Sequence, residues 1–375
     1  MKKSAKLSLA LALMMGTTAG VNMVAPSSAS AEISDKFRME VNGVTAYISD
    51  NHRLGGYSHQ TSDTKDETSY SNTYTRLQLN YYQDKNTMYQ VRLHSDYESL
   101  GTNYANLGKT GAYFDQSFLQ VKDRKANTTY ILGKKGAYLG QGLIHNSTGN
   151  LTGVQVSLGN WYDPQCFQMI AGKKKDGSNF WALQETYDVV KDVQLSATYL
   201  NHKLKQATNL NVNKEYDKPE LHLVSVGTKA KAKAFTVQGE FIKNLSDYTK
   251  NGIYNATTKK VTPNRDGSSR KAWYVEVFTG PTSDMTSGLP LQKPGTNVWS
   301  LKYQDVGCNA TDAHNTTFFD DAKGFRLNYG HTFKKGLAGD ISIARMKDKG
   351  GNSDYDTHNG EWKTLFCAQV NYKFR

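Results

Sequence analysis

What the chain lacks narrows its class before any motif is weighed. Beyond its first residues there is no run of about twenty apolar residues, so no membrane-spanning helix is available to it. Long helical periodicity is missing as well. Cysteine is scarce: Cys166, Cys308 and Cys367 are too few and too scattered for a disulfide framework. No CxxC or His/Cys spacing suits a metal. There is no GxSxG, and no GxGxxG or Walker sequence set between a strand and a helix, so hydrolysis and nucleotide binding have no motif behind them. No cofactor is implied. Only 7 prolines and many Asn, Gly and Lys turns remain, and with no helical signal they point to an all-β chain.

What is present begins with an export signal. Lys2, Lys3 and Lys6 precede an apolar stretch from Leu7 to Met15, and Ala29-Ser30-Ala31 supplies a small-x-small cleavage pattern before Glu32. Residues 1–31 therefore read as a secretory signal peptide of the bacterial type, and 32–375 as the mature domain. Its three lysines account for part of the formal charge of +12 and leave +9 on the remainder. A basic exported β-protein is free to meet nucleic acid, anionic glycans or small anions, and charge alone does not choose.

The stretch Tyr74 to Asp96 shows the pattern that the rest of the chain repeats. Leu77, Leu79 and Tyr81 alternate with Arg76, Gln78 and Asn80; after Asp84-Lys85-Asn86, Tyr89, Val91 and Leu93 alternate with Gln90, Arg92 and His94. A period of two gives strands with one apolar and one polar face, and the break is a hairpin turn. Folding about Lys85 sets Tyr81 opposite Tyr89, Leu79 opposite Val91, and Arg76 opposite His94. A soluble sandwich would accept this pattern, but strands of about 9–11 residues ending in tyrosine suit a tilted bilayer crossing. Along the chain the count reaches sixteen strands, and short connections mostly alternate with long ones, the 280–295 link apart. The expectation is a closed antiparallel transmembrane β-barrel of about sixteen strands, with short periplasmic turns and long extracellular loops. Closure also removes the exposed edges that so many strands would otherwise carry.

The last strand, with Val370, Tyr372 and Phe374 at alternate positions, resembles the C-terminal assembly signal of bacterial outer-membrane proteins. It departs by one residue, since Arg375 follows Phe374. Together with the signal peptide and the strand count, the chain resembles a general porin of diderm bacteria. That resemblance implies an outer-membrane homotrimer of water-filled barrels, inserted by the barrel assembly machinery among outer-membrane lipid. It implies passage of small hydrophilic solutes and a third loop folded inward. Here that loop is about 138–151, where Tyr138, Leu139, Leu143 and Ile144 would gain cover against the inner wall or at a subunit contact.

The family's constriction sets loop acids against a basic wall. Residues 136–151 contain no Asp or Glu, while Arg38, Arg76, Arg92, His94, Lys122 and Lys134 are the wall candidates, with Asp96, Glu40 and Glu240 also expected inside. The field would then be positive and favour anions, unless the arginines pair with those acids. A surface adhesin or receptor acting through loops 49–71 and 244–270 is the competing function. Nucleic acid is not expected as a partner. His145-Asn146-Ser147 is the one stretch with a hydrolase's side chains. Lys173-Lys174-Lys175 reads as solvated surface, and Glu185 falls on the lipid-facing register.

Overall fold

The computed structural model describes residues 36–51, 67–100, 111–147, 149, 151–160, 163–174, 177–203, 220–246, 252–255, 260–263, 270–307, 310–312, 318–319, 322–349 and 362–374. Residues 1–31, expected to be a signal peptide, and much of the two loops considered for adhesion lie outside these residues, as does Cys308.

The alternating segments form β1 (Phe37–Asn51), β2 (Glu67–Tyr82), β3 (Thr87–Leu100), β4 (Gly111–Asp123), β5 (Thr128–Lys135), β6 (Leu151–Leu158), β7 (Gln165–Lys174) and β8 (Asn179–Val190). They continue as β9 (Val193–Lys203), β10 (Glu220–Ala232), β11 (Phe235–Asn244), β12 (Lys271–Thr279), β13 (Asn297–Val306), β14 (Ala322–Lys334), β15 (Leu337–Asp348) and β16 (Trp362–Phe374). Each pairs with its sequence neighbours in one closed barrel. The β2–β3 register places Tyr81 opposite Tyr89, Leu79 opposite Val91 and Arg76 opposite His94, as the alternation requires.

Closure joins β1 to β16 from Val41 and Phe374 through to Asn51 and Thr364. At this seam Gly43 has no side chain, and the Tyr372 hydroxyl passes over it to share a 2.6 Å hydrogen bond with Thr75 of β2. Any Cβ at residue 43 would collide with that ring and with the Tyr74 carbonyl.

The outer face meets lipid. Leu132, Val154, Met169, Val226, Val275, Leu301 and Ile343 stand exposed around the waist. Aromatics ring both ends: Tyr89, Tyr130, Tyr187, Phe235, Trp299 and Phe333 near one rim, and Tyr47, Phe114, Trp273, Phe325 and Trp362 near the other. An apolar band between two aromatic girdles is what a bilayer selects, because Tyr and Trp rings sit at the headgroup level. Glu185 stays on this outer face and accepts a hydrogen bond from Gln165 at 2.7 Å.

Connections differ between the two ends. Residues 83–86, 124–127, 191–192, 233–234 and 335–336 make tight turns at one end; 101–110, 204–219 and 245–270 join strands at the other. Two break the pattern: 175–178 is short at the long-loop end, and 280–296 is long at the short-turn end.

Candidate functional site: the lumen and the segments folded into it

Inward positions are not uniformly polar. On β9 to β13, Leu200, Leu221, Leu223, Ile242, Ala272 and Val306 point into the barrel, although the outer faces of the same strands are apolar too. This corrects a simple wet-inside alternation. The reason is a second apolar partner: Leu139, Leu143 and Ile144 of the 136–150 connection are fully buried and pack on those side chains, with Phe318 and Tyr274. Tyr138 differs from its three neighbours, remaining 43% exposed.

Polar contacts fix where this loop lies. Glu240 of β11 accepts the Gln141 and Leu143 amides at 2.8 and 2.9 Å, and Gln184 of β8 accepts the Gly140 amide at 2.6 Å. The Tyr274 hydroxyl donates to the Gln141 carbonyl at 2.7 Å. Gly140 (φ +61°) must be glycine on two grounds, since a side chain there would be strained and would strike the Glu240 carboxylate. The loop thus crosses from the β5–β6 side of the barrel to β8, β11 and β12.

A second set of contacts ties three connections together. Asp312, between β13 and β14, bonds His145 Nδ1 at 2.8 Å, His202 Nδ1 at 2.8 Å and Lys174 Nζ at 2.5 and 2.6 Å. Beyond them His145 Nε2 lies 2.9 Å from Ser147 Oγ and His202 Nε2 lies 2.7 Å from Ser178 Oγ. Lys174 therefore turns inward, and the solvated reading of Lys173-Lys174-Lys175 is corrected at its middle residue. Burial works against the Asp312 charge. Hydrogen bonds from His145 and His202 and the nearby positive charge of Lys174 outweigh it and hold the carboxyl well below its usual range. Burial, in turn, lowers His145 despite the pull of Asp312, and so favours the neutral imidazole. His202 carried no signal in the sequence, because nothing local marks a strand histidine whose partner is 110 residues away.

The wall candidates divide. Arg92 forms a two-pronged pair with Asp115 at 2.8 and 2.6 Å, His94 approaches the same carboxylate at 3.2 Å, and Arg76 at 3.7 Å. Asp115 reaches them because β4 bulges where Arg92 pairs with Gln116 and Leu93 with Phe114. Arg38 keeps the inner register of β1 and lies 5.1 Å from the Tyr82 ring. Lys122 takes an inner position near the short-turn rim, opposite Thr129. Lys134 does not line the lumen. It shares the outer face with Leu132 and snorkels to the Phe114 carbonyl at 2.7 Å, leaving Lys135 inside over Phe118 at 5.3 Å. Of two adjacent lysines on a strand only one can face inward, and the outer position of Leu132 decides which. Asp96 belongs to β3, but its side chain lies outside the described residues. Glu40 faces inward and meets Lys373 at 3.2 Å. Val370, Tyr372 and Phe374 follow one another along the outer face of β16.

Exposure maps the space left over. Most inward residues of β8 to β13 are sealed, as at Gln184, Thr198, Glu276 and Ser300, while Lys229 of β10 stays exposed. By contrast Arg76, Gln78, Asn80 and Tyr82 of β2, Lys135 of β5, Gln155 and Ser157 of β6 and Gln168 of β7 remain half-buried. Among the described residues no group of His, Cys, Asp and Glu is arranged to hold a metal ion.

No family model matches the chain, and no curated protein does. Solved structures do. OprB of Pseudomonas putida, in a high-pH structure, superposes with a TM-score of 0.56 at 10% identity over 92% of this chain and 96% of its own. Two mutant forms of the Rhodopseudomonas blastica porin each give 0.51, at 9% and 10% identity, over 90% of this chain and 100% of theirs. At such identity the likeness is one of architecture. In fold, this chain is a sixteen-stranded barrel of the porin type.

Proposed function

We propose that the protein is a passive diffusion channel of the bacterial outer membrane, passing small hydrophilic solutes with a preference for anions. The carrying observation is the half-buried polar strip on β2 and β5 to β7, beside an otherwise covered interior. Half-open polar walls inside a closed apolar-coated barrel give a hydrated solute a path that needs neither cofactor nor covalent step. The third long connection sets the width of that path.

The anion preference rests on a narrower base than a count of arginines. Asp115 offsets Arg92 and part of Arg76. Among the described residues, Arg38, Lys122, Lys135 and Lys229 keep inner-facing positions with no carboxylate at ion-pair distance. The acids Glu240 and Asp312 are engaged by loop amides or histidines. The path is therefore left with a positive potential, which low-dielectric walls focus.

The Ser147–His145–Asp312 row has the connectivity of a hydrolytic triad, and we read it as a latch. Ser147 is nearly enclosed, its hydroxyl accepts from the Ala137 amide at 3.4 Å, and Lys174 already neutralises the carboxylate. Export by residues 1–31, assembly through Val370, Tyr372 and Phe374, and association as a homotrimer complete the reading.

Recording the purified full-length protein in a planar bilayer tests it. Discrete conductance steps and an anion-side reversal potential in a potassium chloride gradient are expected. Absence of steps would sink the channel, and a cation-side reversal potential would sink the preference.

A further inference from the structure

The connection that breaks the short-turn pattern, 280–296, does not hang outside the barrel. Gln238 of β11 donates to Ser283 at 3.4 Å, Asn371 of β16 to the Met285 carbonyl at 3.1 Å, and Thr332 of β14 to the Leu289 carbonyl at 3.0 Å. All three donors are inward-facing wall residues, so the segment enters the lumen and spans the sector from β11 to β16. Its apolar side chains fit that position. Met285 and Leu289 pack on Val298 of β13 and Ala338 of β15, two inward residues that would otherwise be greasy spots on a wet wall.

The segment is also stiff. It holds Pro281, Pro290 and Pro294, three of the 7 prolines of the chain, between Gly280 (φ +84°) and Gly295 (φ +82°), which make its reversals. At its inner tip Asp284 accepts the Thr286 and Ser287 amides at 3.0 and 2.9 Å, while the residue itself stays exposed. Its neighbour Thr286 accepts from Gln369 of β16 at 3.3 Å, and the Asp284 carboxylate lies within electrostatic reach of Tyr138 of the opposite loop and of Tyr74 of β2. Tyr74 is the residue against which Arg76 lies at 4.4 Å and His94 at 5.4 Å.

We propose that residues 280–296 form a second internal constriction, built from the short-turn end, and that Asp284 is its selectivity residue, the acid that faces the basic β2–β3 wall across the path. The 136–151 loop brings no carboxylate of its own; this segment supplies one from the other mouth. A hydrated ion then passes between Asp284 and the Arg76 side of the wall, and the acid limits the anion preference that Arg38, Lys122, Lys135 and Lys229 create.

The proposal rests on the channel reading, and one set of bilayer recordings separates the two. Asp284→Asn keeps an oxygen for the Thr286 and Ser287 amides, turns the acceptor of the Ser287 hydroxyl into a donor that the same hydroxyl can accept from, and removes the charge. It is expected to raise the chloride-to-potassium permeability ratio about twofold with conductance steps retained. Ser287→Cys, treated with a charged methanethiosulfonate, is expected to lose about half of its single-channel current, with the untreated variant and treated wild type as controls. Unchanged selectivity in Asp284→Asn together with unchanged current in labelled Ser287→Cys would overturn the second constriction while leaving the channel standing. Wild-type protein without steps would overturn both.

Discussion

Two parts of the inner wall follow opposite rules. Along β8 to β13 the barrel is lined on the inside as a globular core is, with Leu200, Leu223, Ile242 and Val306 dry beneath Leu139, Leu143 and Ile144. Along β2 and β5 to β7 it is lined as a water-filled pore is, with Arg76, Gln78, Asn80 and Gln155 half-open. The same strand geometry serves both. The difference is whether an inward segment finds apolar partners and a place for its amides, and Glu240 supplies that place. A barrel of this size is thus filled selectively, and the unfilled sector is where the proposed path runs.

The sharpest way to break this contrast is to remove the clasp. Glu240→Ala leaves the Gln141 and Leu143 amides without their acceptor in a dry pocket, at about 1–3 kcal/mol each. Amide hydrogen exchange across 137–145 is expected to quicken by on the order of a hundredfold, and single-channel conductance to rise. Glu240→Gln, which keeps an acceptor, is expected to fall between the variant and wild type. Protection that survives Glu240→Ala would mean that packing alone holds the sealed region.

Acid should loosen the same region by a second route. His145 is held below its ordinary value by burial, so the docked loop binds fewer protons than the released one. Docking is then at full strength above about pH 6.5 and weakens as the pH falls from there towards the lower docked value. Asp312, also depressed, adds a further loss below its ordinary 3.8. Protection factors at 137–147, each referred to the intrinsic exchange rate at its own pH, are expected to fall between about pH 7.5 and about pH 4. A flat profile would remove His145 from the latch.

The smallest effect sharpens the open side. Lys135→Gln is expected to lower anion selectivity by less than about twofold, and Lys134→Gln to leave it unchanged, because only the first faces the lumen. Reversal potentials of the two variants check the assignment.

Much of the wall was legible because lipid imposes one rule on every outer position. The Tyr74–Asp96 hairpin could be paired residue by residue, and the outer faces of β11, β12 and β16 followed from Phe241, Trp273 and Phe374. The interior obeys no single rule, and its errors have separate causes. The extra residue at the β4 bulge cannot be counted from alternation, so Asp115 was not seen to sit among Arg76, Arg92 and His94. Lys134 and Lys135 present the same side chain at adjacent positions, and only the pairing of Lys134 with Ser117 separates them. The inward turn of 280–296 left one trace, an overlong connection at the wrong end. Met285 and Leu289 gave no sign of it, since their partners Val298 and Ala338 belong to other strands.

The bare spot at residue 43 has a further consequence. Because Tyr372 bridges to Thr75 across it, the final strand grips not only its immediate neighbour but the one after, and the join overlaps like a lapped weld instead of a butt joint. A cylinder fastened in this way resists prying at the very line where its two chain ends meet. Occupying position 43 with a methyl group would lift Tyr372 off Thr75 and turn the lap back into a butt joint.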